Sequence, residues 1–213
     1  MSGDSTMPSL QSLEFAEGFI GEPEVILDAR AAGEDRGVDT VTPGTGAALR
    51  FIAAASGAQT VVEVGTGTGV GTLWLLNGMT EGGLLTSIDS DVELQNAAKA
   101  AVAAAGRSGS ARLIAGRALE VLPRLTDNGY DLMVVNADPS EYGLFLSQAL
   151  RLLRPGGIVV FNHGFLSGRI ADASQRDDTT LALREMQQAL RDNTALTPAL
   201  LPVGDGLLAA VVN

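Results

Sequence analysis

The sequence predicts an α/β fold: a doubly wound, mostly parallel sheet of seven strands. Three observations predict it. From residue 60 onward, short apolar runs alternate with helical segments, the pattern of a sheet covered by helices on both faces. Directly after the first such run, "VVEVGTGTGVGTLWLL" (61–76) places four glycines within seven positions. The chain closes on two apolar runs around a "GDG" turn, a hairpin that adds one antiparallel strand.

The elements follow in order. Residues 9–37 read as helical, anchored by Leu10, Leu13, Phe15, Phe19, Val25, Ile26 and Leu27 and broken at Pro23. "VDTVTPGTG" (38–46) reads as a loop from its Pro, Gly and Thr content, and 47–56 as a helix ending at Gly57. Strands at 60–64, 84–89, 111–115, 130–136 and 156–162 then alternate with helices at 70–79, 92–105, near 118–125, 140–153 and 177–193. "LTPALLPV" and "GLLAAVV" are the closing strands. With no repeat or linker, residues 1–213 are expected to form one domain: a helical cap over 9–57 and a core over 58–213.

Composition narrows the function. The 213 residues are 46% hydrophobic and 18% charged, which favours a packed core over disorder. "MSGDSTMP" reads as a loose terminus without the marks of a signal peptide, and no run reaches the length of a membrane span. The expected location is the cytoplasm, with no membrane partner. No cysteine is present, so disulfides, thiolate metal sites and cysteine nucleophiles are excluded. A net charge of −11, from 14 basic against 25 acidic residues, argues against a nucleic-acid partner and is best read as solubility.

The glycine loop carries the chemistry. A strand, a glycine turn and a helix N-terminus bring free N–H groups close to a ligand. The dinucleotide pattern G-x-G-x-x-G fails, because its third glycine falls on Val70 or on Thr72, and no Lys-Ser or Lys-Thr pair completes a phosphate loop. What fits is E-x-G-x-G-x-G, at Glu63, Gly65, Gly67 and Gly69. This resembles the first motif of class I S-adenosylmethionine-dependent methyltransferases. An acidic residue inside the loop would repel a pyrophosphate and suits a ligand with an ammonium and a sulfonium. Asp89, at the end of the second strand, is placed for ribose hydroxyls. A plainer alternative has the glycines only turning the chain and Asp89 capping the helix near Val92.

The resemblance covers nearly the whole chain and is closest to small bacterial O-methyltransferases related to the catechol and caffeoyl-CoA enzymes. It rests on "VEVGTGTGVGTLWL", "LTSIDSD", "GRALEVLPRL", "RLLRPGGIVVFNHGFLSGRI", "LLPVGDGLLAAV" and "VTPGTGAAL" together. It implies the class I methyltransferase (Rossmann-like) fold, S-adenosyl-L-methionine as cofactor and a homodimer. It also implies that Glu63, Gly65, Thr66, Gly67, Gly69 and Gly71 lie around the methionine part. Asp89 and Ser90 would hold the ribose, Gly116, Arg117 and Ala118 would border the adenine, and Val41 and Thr42 would close over the cofactor. Asn136 is expected among the cofactor-binding residues as well as among the candidate catalytic ones. Gly71 and Arg117 stand where relatives often carry Ser and Asp.

The metal-dependent relatives bind a divalent cation through two carboxylates and an amide, with a lysine base. Here Asn136 and Phe161 replace the carboxylates, only Asn162 remains, and Pro139 stands at the base position. Hard cations want anionic oxygens, so no metal is expected. His163, the sole histidine, follows the strand where the acceptor should sit. It is a candidate general base, alongside the reading of a structural or solvent-facing side chain. The expectation is metal-independent O-methylation of a small molecule, with Asn136 and His163 as candidate catalytic groups. The N-terminal helices and residues 164–176 are expected to wall the acceptor. The alternatives are a non-catalytic S-adenosylmethionine-binding protein and, more weakly, a nicotinamide-dependent reductase.

Overall fold

The computed structural model describes residues 8–213. The N-terminal part is helical: α1 (Leu10–Glu17), α2 (Glu24–Glu34) and α3 (Pro43–Ala55). The last begins four residues earlier than its composition suggests. Thr42 accepts from the Thr45 N–H as N-cap and Pro43 takes the first position, where its missing N–H costs nothing, so the residues that read as loop form the first turn. α3 packs on α4 (Val70–Gly78) at a contact that only glycine permits: a Cβ on Gly46 would lie 2.2 Å from the Trp74 ring. Trp74 is buried core, as its helix position implies, and its Nε1 donates to Glu22.

The strands are β1 (Thr60–Val64), β2 (Leu84–Asp89), β3 (Ala111–Ala115), β4 (Tyr130–Val135), β5 (Leu153–Phe161), β6 (Leu196–Leu201) and β7 (Leu207–Val212). They form one sheet in the order β3-β2-β1-β4-β5-β7-β6. Neighbours pair in parallel from β3 to β5, and β7 runs antiparallel between β5 and β6. The mostly parallel sheet with one antiparallel strand, expected from the pattern, is therefore present. β5 starts three residues before its expected position. Leu153 already pairs with Tyr130, and the register then slips so that Leu132 meets Ile158, the Pro155-Gly156-Gly157 stretch being absorbed as a bulge.

Helices α5 (Val92–Ala104), α6 (Ala118–Val121), α7 (Tyr142–Leu152) and α8 (Asp178–Asp192) join α4 in covering the sheet. The apolar core divides into two layers. One packs α7 and α8 against the sheet through Phe145, Leu152, Leu183 and Met186, and the other packs α2 to α5 through Ile26, Leu49, Leu73 and Val102. α1 is peripheral and buries no residue. Its Glu17 nevertheless accepts from the backbone N–H of both Gly44 and Gly204, tying α1 to the start of α3 and to the "GDG" turn.

The order of strands reverses direction between β1 and β4, and at such a switch point the carboxyl ends of the strands leave a crevice. Backbone bonds carry the ladders one residue past the strand ends. Gly65 donates to Ile88, Gly116 to Asp89, Asn136 to Val64 and Asn162 to Val135. The loops that hold the candidate residues thus leave the sheet from rigid ends.

Candidate functional site

A cleft of about 540 Å³ opens at this edge, within the size range of small-molecule sites. Gly65, Asp89, Ser90, Gly116, Arg117, Ala118 and Asn136 line it. A smaller hollow beside it is lined by Val41, Gly65, Thr66, Gly67, Gly71 and Asn136. Gly65 and Asn136 are common to both. Four candidates stand outside these walls. Thr42 caps α3, Glu63 lies beneath the loop, Gly69 caps α4 against Ala98, and His163 sits past the end of β5.

The loop needs its glycines. Gly65, Gly67 and Gly69 have φ of +88°, +54° and +95°, a region that other L-residues seldom adopt. A Cβ on Gly65 would also come within 1.9 Å of the Asn136 carbonyl oxygen, so β1 and β4 approach so closely only because that position is bare. Asp89 fixes the loop from the next strand. Its Oδ2 accepts from the Gly67 N–H at 2.9 Å, and its Oδ1 accepts from Asp91 N–H. Asp89 does not cap α5. Asp91 does, accepting from Glu93 and Leu94. Asp89 therefore stays at the cleft wall with lone pairs to spare for a ligand's hydroxyls.

Glu63 is wholly buried. Thr72 and Ser87 donate to its Oε2 at 2.5 and 2.6 Å. Ser87 is bonded in turn to Thr66, and Thr66 accepts from Gln95 Nε2. Burial is the largest influence on Glu63 and pushes its carboxyl up from 4.5 to about 7, against the two hydroxyl donors, with nearby Asp89 adding to the rise. A Cβ on Gly71 would lie 2.7 Å from the Glu63 Oε1, so a larger residue there needs the Glu63 carboxyl to shift. Glu63 supports the loop from below.

The ends of β4 and β5 hold the residues at the positions where the resemblance implies metal ligands in metal-dependent relatives. Asn162 Nδ2 donates to Asn136 Oδ1 at 2.9 Å, so two neutral amides close on each other. Phe161 is buried against Tyr142, ring centroids 5.0 Å apart. Neither arrangement offers an anionic oxygen, and these residues do not fit a divalent cation. Asp138 caps the short 3₁₀ turn Pro139–Glu141 by accepting from Ser140 N–H. The Tyr142 hydroxyl donates to the Asn162 carbonyl oxygen, and burial first, then Asp138 and Asp205, push its ionisation far up.

His163 takes a left-handed backbone, φ +57°, and its Nδ1 faces Asp205 Oδ2 at 3.2 Å. Asp205, the centre of the "GDG" turn, was read only as a turn residue. Forty-two positions separate the two, and no local pattern links them. Asp138 also lines the cleft, and so do Glu141 and Phe145, with Asp39 and Thr40 in the hollow; these last four sequence reasoning did not single out. Arg117 is at the rim, exposed, near Glu120.

Known proteins agree with this geometry. The profile of a family described as O-methyltransferase matches residues 30–211. A protein of Mycolicibacterium vanbaalenii, provisionally named an O-methyltransferase, is 46% identical over 98% of this chain and 94% of its own. Among solved structures, a Corynebacterium glutamicum protein superposes with a TM-score of 0.86 at 29% identity, covering 93% of this chain and 94% of that one. The O-methyltransferase TomG of Streptomyces achromogenes, solved with S-adenosylmethionine and involved in tomaymycin synthesis, gives 0.87 at 25% identity over 97% and 100%. A match over most of the chain, on a sheet of the same topology with the glycine loop at its switch point, is decisive: this chain belongs to the O-methyltransferase family.

Proposed function

We propose that the protein transfers a methyl group from S-adenosylmethionine to an oxygen of a small acceptor, without a divalent metal. The observation that carries this is the junction at Asn136, where a cleft framed by Gly65 and Asp89 meets an amide pair in place of metal-binding carboxylates. When bound, S-adenosylmethionine supplies a methyl group activated by its sulfonium. Asp89 and Ser90 would hold the ribose, Gly116 to Ala118 would border the adenine, and Val41, Thr66, Gly67 and Gly71 would surround the methionine end. In-line attack needs a positioned nucleophile and a dry site, which the buried ends of β4 and β5 favour.

The same reading makes the chain one domain, with residues 9–57 as cap over a cofactor-binding core of 58–213, and makes it a cytoplasmic protein. Among the described residues no helix is long and apolar enough to cross a membrane. It also makes the protein a homodimer, because Leu10 and Phe15 on α1, Phe19 just past it and Phe51 on α3, a helix in contact with α1, all expose more than two thirds of their surface. Titration calorimetry tests the cofactor assignment. Micromolar binding of S-adenosylmethionine or its demethylated product is expected, and no detectable binding would end the proposal.

A further inference from the structure

The end of β5 holds a cluster that the cofactor site does not use. We propose that His163 is the base that accepts the acceptor's hydroxyl proton, and that Asp205 is the positioning residue that makes it one. The inference rests on the methyl-transfer reading above and adds a residue from a distant turn.

Three observations carry it. Asp205 uses both oxygens: Oδ1 accepts from the Ser167 N–H at 2.8 Å and Oδ2 faces His163 Nδ1 at 3.2 Å. A carboxylate only accepts, so Nδ1 carries the proton and the lone pair of the neutral ring sits on Nε2. That Nε2 lies 3.5 Å from Asn162 Nδ2, which donates to Asn136 Oδ1 at the cleft wall. The basic nitrogen is thus held one side chain from the cofactor cleft, in only a long contact with the Asn162 amide, and the His163 side chain remains 38% exposed.

The second observation is strain. His163, Leu166 and Ser167 are three of the four non-glycine residues with positive φ among the described residues, all within five positions. Such backbone persists only where surroundings enforce it, and it gathers at functional sites. The clamp is visible. Gly164 and Phe165 donate to the Gly206 and Asp205 carbonyls, and Gln187 donates to the Gly164 carbonyl. The third is the buried Asn162 Oδ1, which finds no donor among the described residues. A buried acceptor without a partner is rare enough to call for a ligand hydroxyl or an ordered water.

The step balances as follows. The acceptor oxygen bonds to the methyl carbon, the carbon–sulfur bond breaks with its electron pair left on sulfur, and the hydroxyl proton passes to His163 Nε2. The imidazolium so formed is stabilised by Asp205. The charged group on this ring is Asp205; near it are the buried Tyr142, whose hydroxyl donates to the Asn162 carbonyl and which Asp138 and Asp205 both influence, and Glu17, which accepts from the Gly204 N–H beside Asp205. Arg169, on the same loop, is directed at Leu166 and Asp177.

One histidine in the chain makes the test clean. Nitrogen-15 imidazole spectra of the whole protein should show the Nδ1–H form. Asp205→Asn keeps an oxygen for Ser167 but presents an NH₂ to the ring, so the Nε2–H form should appear. With catechol, caffeic acid and 4-hydroxybenzoate as acceptors, both His163→Ala and Asp205→Asn should lose roughly 10²–10⁴-fold in kcat, with KM for S-adenosylmethionine little changed. The rate in the wild type should rise with pH through the titration read in the spectra, and that rise should vanish in His163→Ala. An unchanged ring form in Asp205→Asn, or an active His163→Ala, overturns the dyad while leaving methyl transfer intact. A wild type that binds the cofactor yet methylates none of the acceptors overturns the base role and the proposed activity together.

Discussion

Asp89 shows what one side chain does here and what its position reveals. It anchors the glycine loop through Gly67 and keeps lone pairs at the cleft wall. Asp89→Ala should weaken S-adenosylmethionine binding by ~1–3 kcal/mol, the cost of hydroxyls left unpaired. Calorimetry on the variant checks this, and unchanged affinity would remove Asp89 from the site. Glu63 gives a second test, in pH. Its folded carboxyl titrates near 7, above its unfolded value of 4.5. Folding therefore favours its protonated form, and that stability is present in full below pH 4.5 and lost as pH rises to about 7. Denaturant melts of wild type and Glu63→Gln should diverge in slope across that window, with the wild type losing stability relative to the variant as pH rises. Parallel curves would mean that Glu63 is ionised throughout. Residues of this kind were legible in the sequence when a short motif placed them, as with Gly65 and Asp89. Asp205 was not, because only the fold brings the "GDG" turn to His163. Nor was the burial of Glu63 below the loop, which depends on Thr72 and Ser87 from two other elements.

At the scale of elements, the glycine loop and the N-terminal helices make separate predictions. Gly65 and Gly82 both have positive φ, +88° and +80°, but only Gly65 faces a backbone atom where a Cβ would go. Gly82→Ala should cost ~1–2 kcal/mol from conformation alone. Gly65→Ala should cost more and abolish cofactor binding, because β1 and β4 must part; thermal melts and calorimetry on the pair decide. Equal, small losses would show that the close approach is not needed. The N-terminal helices should form the dimer interface. Phe15 and Phe19, ring centroids 6.0 Å apart, are 71% and 69% exposed. Light scattering should give twice the 21.9 kDa of one chain, and Phe15→Ser with Phe19→Ser should return the monomer. A monomeric wild type at micromolar concentration counts against the interface. Strands β2 and β3 were legible to the residue because apolar runs with turn residues at both ends define them. The first turn of α3 and the start of β5 were not. Pro and Gly signal a break in sequence, yet the fold uses one Pro to begin a helix and a Pro-Gly-Gly stretch to bulge a strand.

For the whole molecule, the topology was readable and the chemistry only partly so. Alternating strands and helices predict the sheet because each βα unit must cover an apolar face, and the closing hairpin supplies the antiparallel strand. On the proposed reading, the chemistry of the metal-dependent relatives is not carried over. Asn136 and Asn162 satisfy each other, Phe161 packs on Tyr142, and neither pair offers an anion to a cation. The acceptor oxygen must then be activated by a side chain, by water or by its own acidity. The most direct measurement is transfer of a labelled methyl group from S-adenosylmethionine to a panel of phenols and carboxylic acids, run in EDTA and again with magnesium. Label should appear on at least one acceptor at the same rate in both. Transfer abolished by EDTA and restored by magnesium, or no transfer by protein that binds the cofactor, would contradict metal-independent methylation at this site.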